Sequence, residues 1–148
     1  MLRSIVLGAV AGMRAMTPFA VVANAARTHE LGTGGGTLPR VMAHPLVSAG
    51  ALALAVGEMA GDKMKTAPDR IVTAGMIART ATGALAGATA APRDRRALGA
   101  ALGAAAAVAA SYATFHLRMA ALRRYGQTAT GAIEDAIALG GAALAARV

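Results

Sequence analysis

Apolar runs and short charged clusters alternate along this chain, and the runs have the lengths of helices. The first run, residues 4–26, is interrupted by Arg14 and Pro18. A proline inside a helical pattern removes a backbone hydrogen bond and clashes with the preceding turn, so the pattern predicts a first helix broken near Pro18. Residues 27–40 carry Gly34, Gly35, Gly36 and Pro39 without an apolar period and read as a loop. A second helix is predicted over 41–62, with Pro45 in its first turn, where a missing N–H costs little. A basic turn at 63–70 leads to a third helix over 71–91, and the charged connection 92–96 to a fourth over 97–117. That fourth run holds 21 residues without a formal charge, and about 20 are needed to cross a bilayer. The basic segment 118–127 reads as a loop, and a fifth helix is predicted over 128–146.

Composition turns this pattern into a class. Of the 148 residues, 56% are hydrophobic and 15% charged, where a soluble domain carries about 25% charged residues. The charges fall in clumps between long gaps. The expectation is an all-α fold: a polytopic membrane helix bundle of four to five Gly/Ala-rich transmembrane helices, forming a single integral membrane domain over 1–148. Arg14 in the middle of the first run argues against a cleaved signal peptide, although Ala23-Asn-Ala25 resembles a cleavage site. The net charge of +8 does not point to nucleic acid, because the cations sit between apolar runs and no basic face is interleaved with aromatics. With no Trp, two Tyr and two Phe, anchoring at the interface falls to Arg and Lys. Without cysteine the chain has neither disulfides nor thiolate metal sites, and His29, His44 and His116 are not spaced as ligands. No cofactor is expected. Five full crossings would put seven cations on one side, Arg3, Lys63, Lys65, Arg70, Arg118, Arg123 and Arg124, against six on the other. That split gives almost no topological bias, with a lean to an N-terminus inside the cell.

Four Gly-xxx-Gly pairs occur: Gly8/Gly12, Gly57/Gly61, Gly83/Gly87 and Gly99/Gly103. Small residues at this spacing let helix backbones approach closely, so a tight bundle is expected. A short internal repeat relates residues 4–62 to 69–147: Arg14-Ala-Met-Thr-Pro18 aligns with Arg79-Thr-Ala-Thr-Gly83, each an Arg-x-x-Thr followed by a breaker. Repeats of this kind build many transporters, with sites at broken helices.

Chemistry then rests on the few ionisable groups inside apolar segments: Arg14, Arg79, Glu58, Asp62, Glu134 and Asp135. Each costs about 2.5–3.5 kcal/mol at a bilayer centre, so mutual pairing is expected. The bland reading is ion pairs that hold Ala-rich helices in register; the functional one is a polar path for an ion or small solute. Glu58 and Asp62 stand one helical turn apart and present two carboxylates to one spot. Thr17 and Thr82, beside Arg14 and Arg79, could satisfy carbonyls freed at the breaks. No nucleophile–base pair is recognisable, and no enzymatic activity is expected.

The motifs Ala11-Gly-Met-Arg14 with Thr17-Pro18, Gly57-Glu58 with Asp62-Lys63, and Ile133-Glu-Asp135 resemble, in order and rough spacing, a bacterial integral membrane family known as domain of unknown function 4126. The resemblance covers most of the chain. It departs where Gly83 follows Thr82 and a proline would be expected. It implies a small multi-helix protein of the bacterial inner membrane and singles out Arg14, Glu58, Asp62, Lys63, Glu134 and Asp135. Together with Thr17, Arg79 and Thr82 these form the candidate site. The function expected is transport or a channel-like path, with an accessory subunit of a larger membrane complex as the alternative. The bilayer and further copies of the chain are the expected partners.

Overall fold

Pro18 decides the course of the first sixty residues. Its ring cannot lie over the carbonyl of residue 14 in a continuous helix, so the chain breaks there. The computed structural model describes residues 1–28, 36–61 and 73–147, and α1 (Leu2–Met13) ends at Arg14, whose backbone is extended (φ −141°, ψ 110°). Helix α2 (Met16–Arg27) begins two residues later, with Pro18 in its first turn. The break therefore lies four residues ahead of the proline, at Arg14–Ala15, rather than at it.

The chain also reverses at this break. Val22, Ala25 and Ala26 of α2 share one buried cluster with Leu7 and Val10 of α1, so α2 folds back along α1. The two helices make a hairpin with both outer ends on one side. Each is 12 residues long, about 18 Å, and neither could cross a bilayer's ~30 Å apolar core.

Further along, α3 (Thr37–Met42) is a short helix in a stretch expected to be loop, and α4 (Pro45–Gly61) follows after a turn at Ala43–His44. His44 Nδ1 accepts the N–H of Leu46 and so caps α4. Helix α5 (Thr73–Ala90) runs unbroken through Gly83, unlike the first half of the proposed repeat. Thr82 returns its hydroxyl to the Ala78 and Arg79 carbonyls instead of capping a break. A short 3-10 turn (Arg93–Arg95) leads into α6 (Arg96–Tyr125), and α7 (Gln127–Arg147) closes the chain. Helix α6 thus absorbs the basic segment expected to be a loop. It stops only at Gly126, whose φ of 76° suits glycine. All regular structure among the described residues is helical, seven α-helices with one 3-10 turn. Among the described residues one helical stretch, Arg93–Tyr125, is long and apolar enough to cross a membrane.

Alanine and glycine leave little side chain to pack, so three helices meet backbone to backbone. Gly103 of α6 stands between Gly8 of α1 and Gly83 of α5, and a Cβ on any of the three would strike a carbonyl of its neighbour. Gly12 lies against the Ala107 carbonyl, and Gly87 against Gly99. Ser4 donates to the Gly87 carbonyl at 2.9 Å, and Ser111 to Gly12 at 3.2 Å, which fastens α1 to both partners. These contacts make α1 and α6 parallel, with α5 antiparallel to both. Three of the four glycine pairs do what their spacing predicts; Gly57 and Gly61 face no neighbour among the described residues. On the other side of α1, α2 supports α4 and α7, which flank it without a substantial interface of their own.

Candidate functional site

The hairpin tip gathers the charges. Arg14 sits where α1 ends and is 1% exposed. Its guanidinium lies 2.6 Å from the Asp135 carboxylate on α7, which runs antiparallel to α1. The next residue back, Glu134, points a helical step away and meets Arg118 of α6 at 2.9 Å. Adjacent positions on a helix are about 100° apart, which is how neighbouring acids reach two different helices. Both pairs are buried, with side-chain exposures of 11% or less. Breaking such a pair by removing one partner strands a buried charge and costs about 3–5 kcal/mol.

Arg79 lies one turn before Gly83 on α5. Gly83 packs near Ala11 and Ala107, so the antiparallel course of α5 brings Arg79 to the level of the hairpin tip. It too is buried.

Glu58, at the end of α4, takes a different part. Its Oε1 accepts the Ala15 N–H at 2.8 Å and its Oε2 the Met16 N–H at 2.9 Å. These are among the donors that a helix start leaves without intrahelical partners. No side chain of α2 itself provides a cap, so a carboxylate from another helix does so, with its charge at the positive end of the α2 dipole. Glu58 is therefore a strut that holds the hairpin tip. Asp62 and Lys63, expected beside it, lie outside the described residues.

Thr17 is buried at the same tip, and its hydroxyl makes no hydrogen bond among the described residues. Seven of the nine expected residues are thus described, and all but Thr82 come to or near the tip; Thr82 serves its own helix. Arg118 was missed, because three arginines in ten residues read as a solvent-facing loop. The signal was there: Arg, Leu, Met and Ala are all strong helix formers, and no breaker precedes Gly126.

Two cavities border the tip, and neither is lined by Arg14 or Asp135. One, of about 150 Å³, is lined by Arg118, Glu134, Thr130 and Ile137 toward the start of α7. The other, of about 620 Å³, is lined by Thr17, Asn24, Ser48, Leu139 and Ala143, toward its end. Among the described residues no group of three His, Asp or Glu side chains is placed to hold a metal ion.

What fold and site define together is an all-helical bundle around a buried ion-pair centre. No family model, curated protein or solved structure matches the chain.

Proposed function

We propose that this chain is a small multi-pass protein of the bacterial inner membrane. In this reading the hairpin tip is the closed constriction of a path for an ion or small polar solute. Three features support the membrane setting. Helix α6 has the length and apolarity of a span. Large apolar side chains face outward on several helices, among them Leu54 on α4, Leu117 on α6 and Leu144 on α7. The charges of the tip, by contrast, are turned inward. The motifs that resemble the family known as domain of unknown function 4126 agree with this setting.

The observation that carries the path is the gathering of buried, paired charges at the hairpin tip, Arg14 with Asp135 and Arg118 with Glu134, the second pair lining a cavity of about 150 Å³. Charges paired inside a bundle can close a polar route without leaving either charge in lipid. With its open end at one interface, a hairpin reaching about 18 Å would have its tip near the middle of a bilayer. It also moves Arg3 to the same end as Arg27, Arg40, Arg93, Arg95 and Arg96. Of the described cations outside the centre, Arg123 and Arg124 stand at the other. By the positive-inside rule this distribution of the described cations supports an N-terminal end in the cytoplasm.

The test is flux into liposomes containing the purified chain, under gradients of protons, monovalent cations, chloride and glycerol. The parent should pass at least one of these above protein-free liposomes. Asp135→Asn should change that rate several-fold. Ile137→Trp, which narrows the smaller cavity at an exposed position, should lower it without touching an ion pair. A parent that passes none of them refutes the path. The accessory-subunit reading would then take its place. It has an observation of its own: α4 exposes Leu46, Leu52, Leu54 and Val56, and its Gly57 and Gly61 leave room for a partner helix.

A further inference from the structure

Buried hydroxyls in this chain have a consistent habit, and one of them breaks it. Thr82, Thr89, Ser111 and Thr130 each donate to the carbonyl four residues back, and Ser4 donates across to Gly87. Thr17 is as buried, at 1% exposure, yet its Oγ1 has no partner among the described residues. The reason is positional. Thr17 stands in the first turn of α2, and the residue four back, Met13, belongs to α1 beyond the reversal. An unsatisfied buried hydroxyl is costly, so Thr17 is open to a partner that the described residues do not supply.

The larger cavity offers the place. Thr17 lines one end of it, with Met59; Asn24 and Ser48 line the other. Thr17 and Asn24 are seven residues apart on α2, two turns along one face, so about 10 Å separates them. Its volume of about 620 Å³ lies within the range of about 300–1,000 Å³ usual for small-molecule sites. Among the described residues no ionisable side chain lines it, and the walls between the polar ends are Ala, Val and Leu. A charged ligand would enter unpaired and is disfavoured. Leu52 and Val56 of α4 and Leu139 of α7 are both wall and outer surface, so the gap between α4 and α7 opens sideways.

We propose that this groove binds one uncharged amphiphile, an apolar chain with a hydroxyl or carbonyl head, which enters from the bilayer and hydrogen-bonds Thr17. This rests on the membrane setting given above but not on the transport path. The site recognises a neutral head by Thr17 at the tip and a chain by the apolar walls, with Asn24 and Ser48 at the outer end.

The probe is radiolabelled 1-dodecanol, titrated onto the full chain in phospholipid nanodiscs, with protein-free nanodiscs subtracted. Unlabelled dodecanoate, dodecyltrimethylammonium and n-dodecane serve as competitors. Dodecanol should bind saturably, and none of the three should compete as well as unlabelled dodecanol. Thr17→Val keeps the shape and removes the hydroxyl; it should weaken binding about 3- to 10-fold, the value of one hydrogen bond. Val56→Trp, at an exposed position on the rim, should abolish it. Size-exclusion profiles and helix content of both variants should match the parent. Equal binding by Thr17→Val, or equal competition by dodecanoate, overturns the proposal. So does rapid disulfide dimerisation of a Val56→Cys variant, clean to read in a chain without cysteine, because the groove would then hold a second copy. Failure of liposome flux with saturable dodecanol binding leaves this site standing and removes only the path.

Discussion

Replacing Glu58 with glutamine tests the strut at the hairpin tip. The carboxylate accepts two backbone N–H groups, at 2.8 and 2.9 Å, and each bond is charge-assisted. Glutamine keeps one acceptor oxygen and turns an NH2 group toward the other N–H. One hydrogen bond to a charged acceptor is lost, worth about 1.5–3 kcal/mol, and the favourable charge at the α2 N-terminus goes with it, about 0.3–1 kcal/mol. Glu58 is only half-buried, so the lower part of that sum applies, about 2 kcal/mol. On the scale of soluble domains near this length that is a fall in Tm of roughly 4–8 °C. Glu58→Ala, which removes both acceptors, should fall further. The assay is thermal unfolding in one detergent, followed by the loss of the monodisperse size-exclusion peak. Glu58→Gln and Glu58→Ala variants as stable as the parent would refute the capping role. Glu58 would then return to the ion-path role its spacing from Asp62 suggested.

The remaining expectations concern the pairs, the glycines and the class. Arg14→Leu alone should destabilise by about 3–5 kcal/mol, and Arg14→Leu with Asp135→Leu by much less, since no charge is then stranded; equal losses would show that the two do not act as a pair. Gly103→Ala, whose Cβ strikes the Gly83 carbonyl, should cost at least about 1–3 kcal/mol by the same unfolding assay. Gly57→Ala meets nothing within 4 Å and should be neutral or stabilise by up to about 1 kcal/mol, through helix propensity; the reverse order would mean that the glycine crossing is elsewhere. Finally, the chain should remain with the membrane through an alkaline carbonate wash and need detergent for release.

Local chemistry made part of this structure legible and left another part hidden. The helix over 97–117 and the glycine spacings depend on neighbours within a turn or two, and both came through in α6 and in the crossing at Gly103. Pro18 announced a break, and the clash with the carbonyl four residues back was enough to move that break to Arg14. The direction of the chain after the break was not readable. It depends on α4 bringing Glu58 to the new helix start, and no local pattern records a contact across 43 residues of chain. The same limit applied to Arg118. Its charge looked like a solvent-facing feature because its partner, Glu134, lies 16 residues on, in another helix. Arg-x-x-Thr with a breaker was equally clear at Arg14 and Arg79. Proline and glycine differ, however: glycine leaves the N–H in place, so α5 continues where α1 stops.

The crossing at Gly103 also divides the molecule mechanically. Where α1, α5 and α6 touch through their backbones there are no rotamers to rearrange and no space to slide, so these three helices move as one piece. Helices α2 and α7 join that piece through side chains instead, with Val22, Ala25, Ala138 and Ala142 in one apolar cluster with Leu7, Val10 and Ala86 and with two ion pairs beside it, while Glu58 ties α4 to the start of α2. The backbone-packed trio is therefore the stiffer part of the molecule, and α2, α4 and α7, held by side chains, are the part with room to adjust.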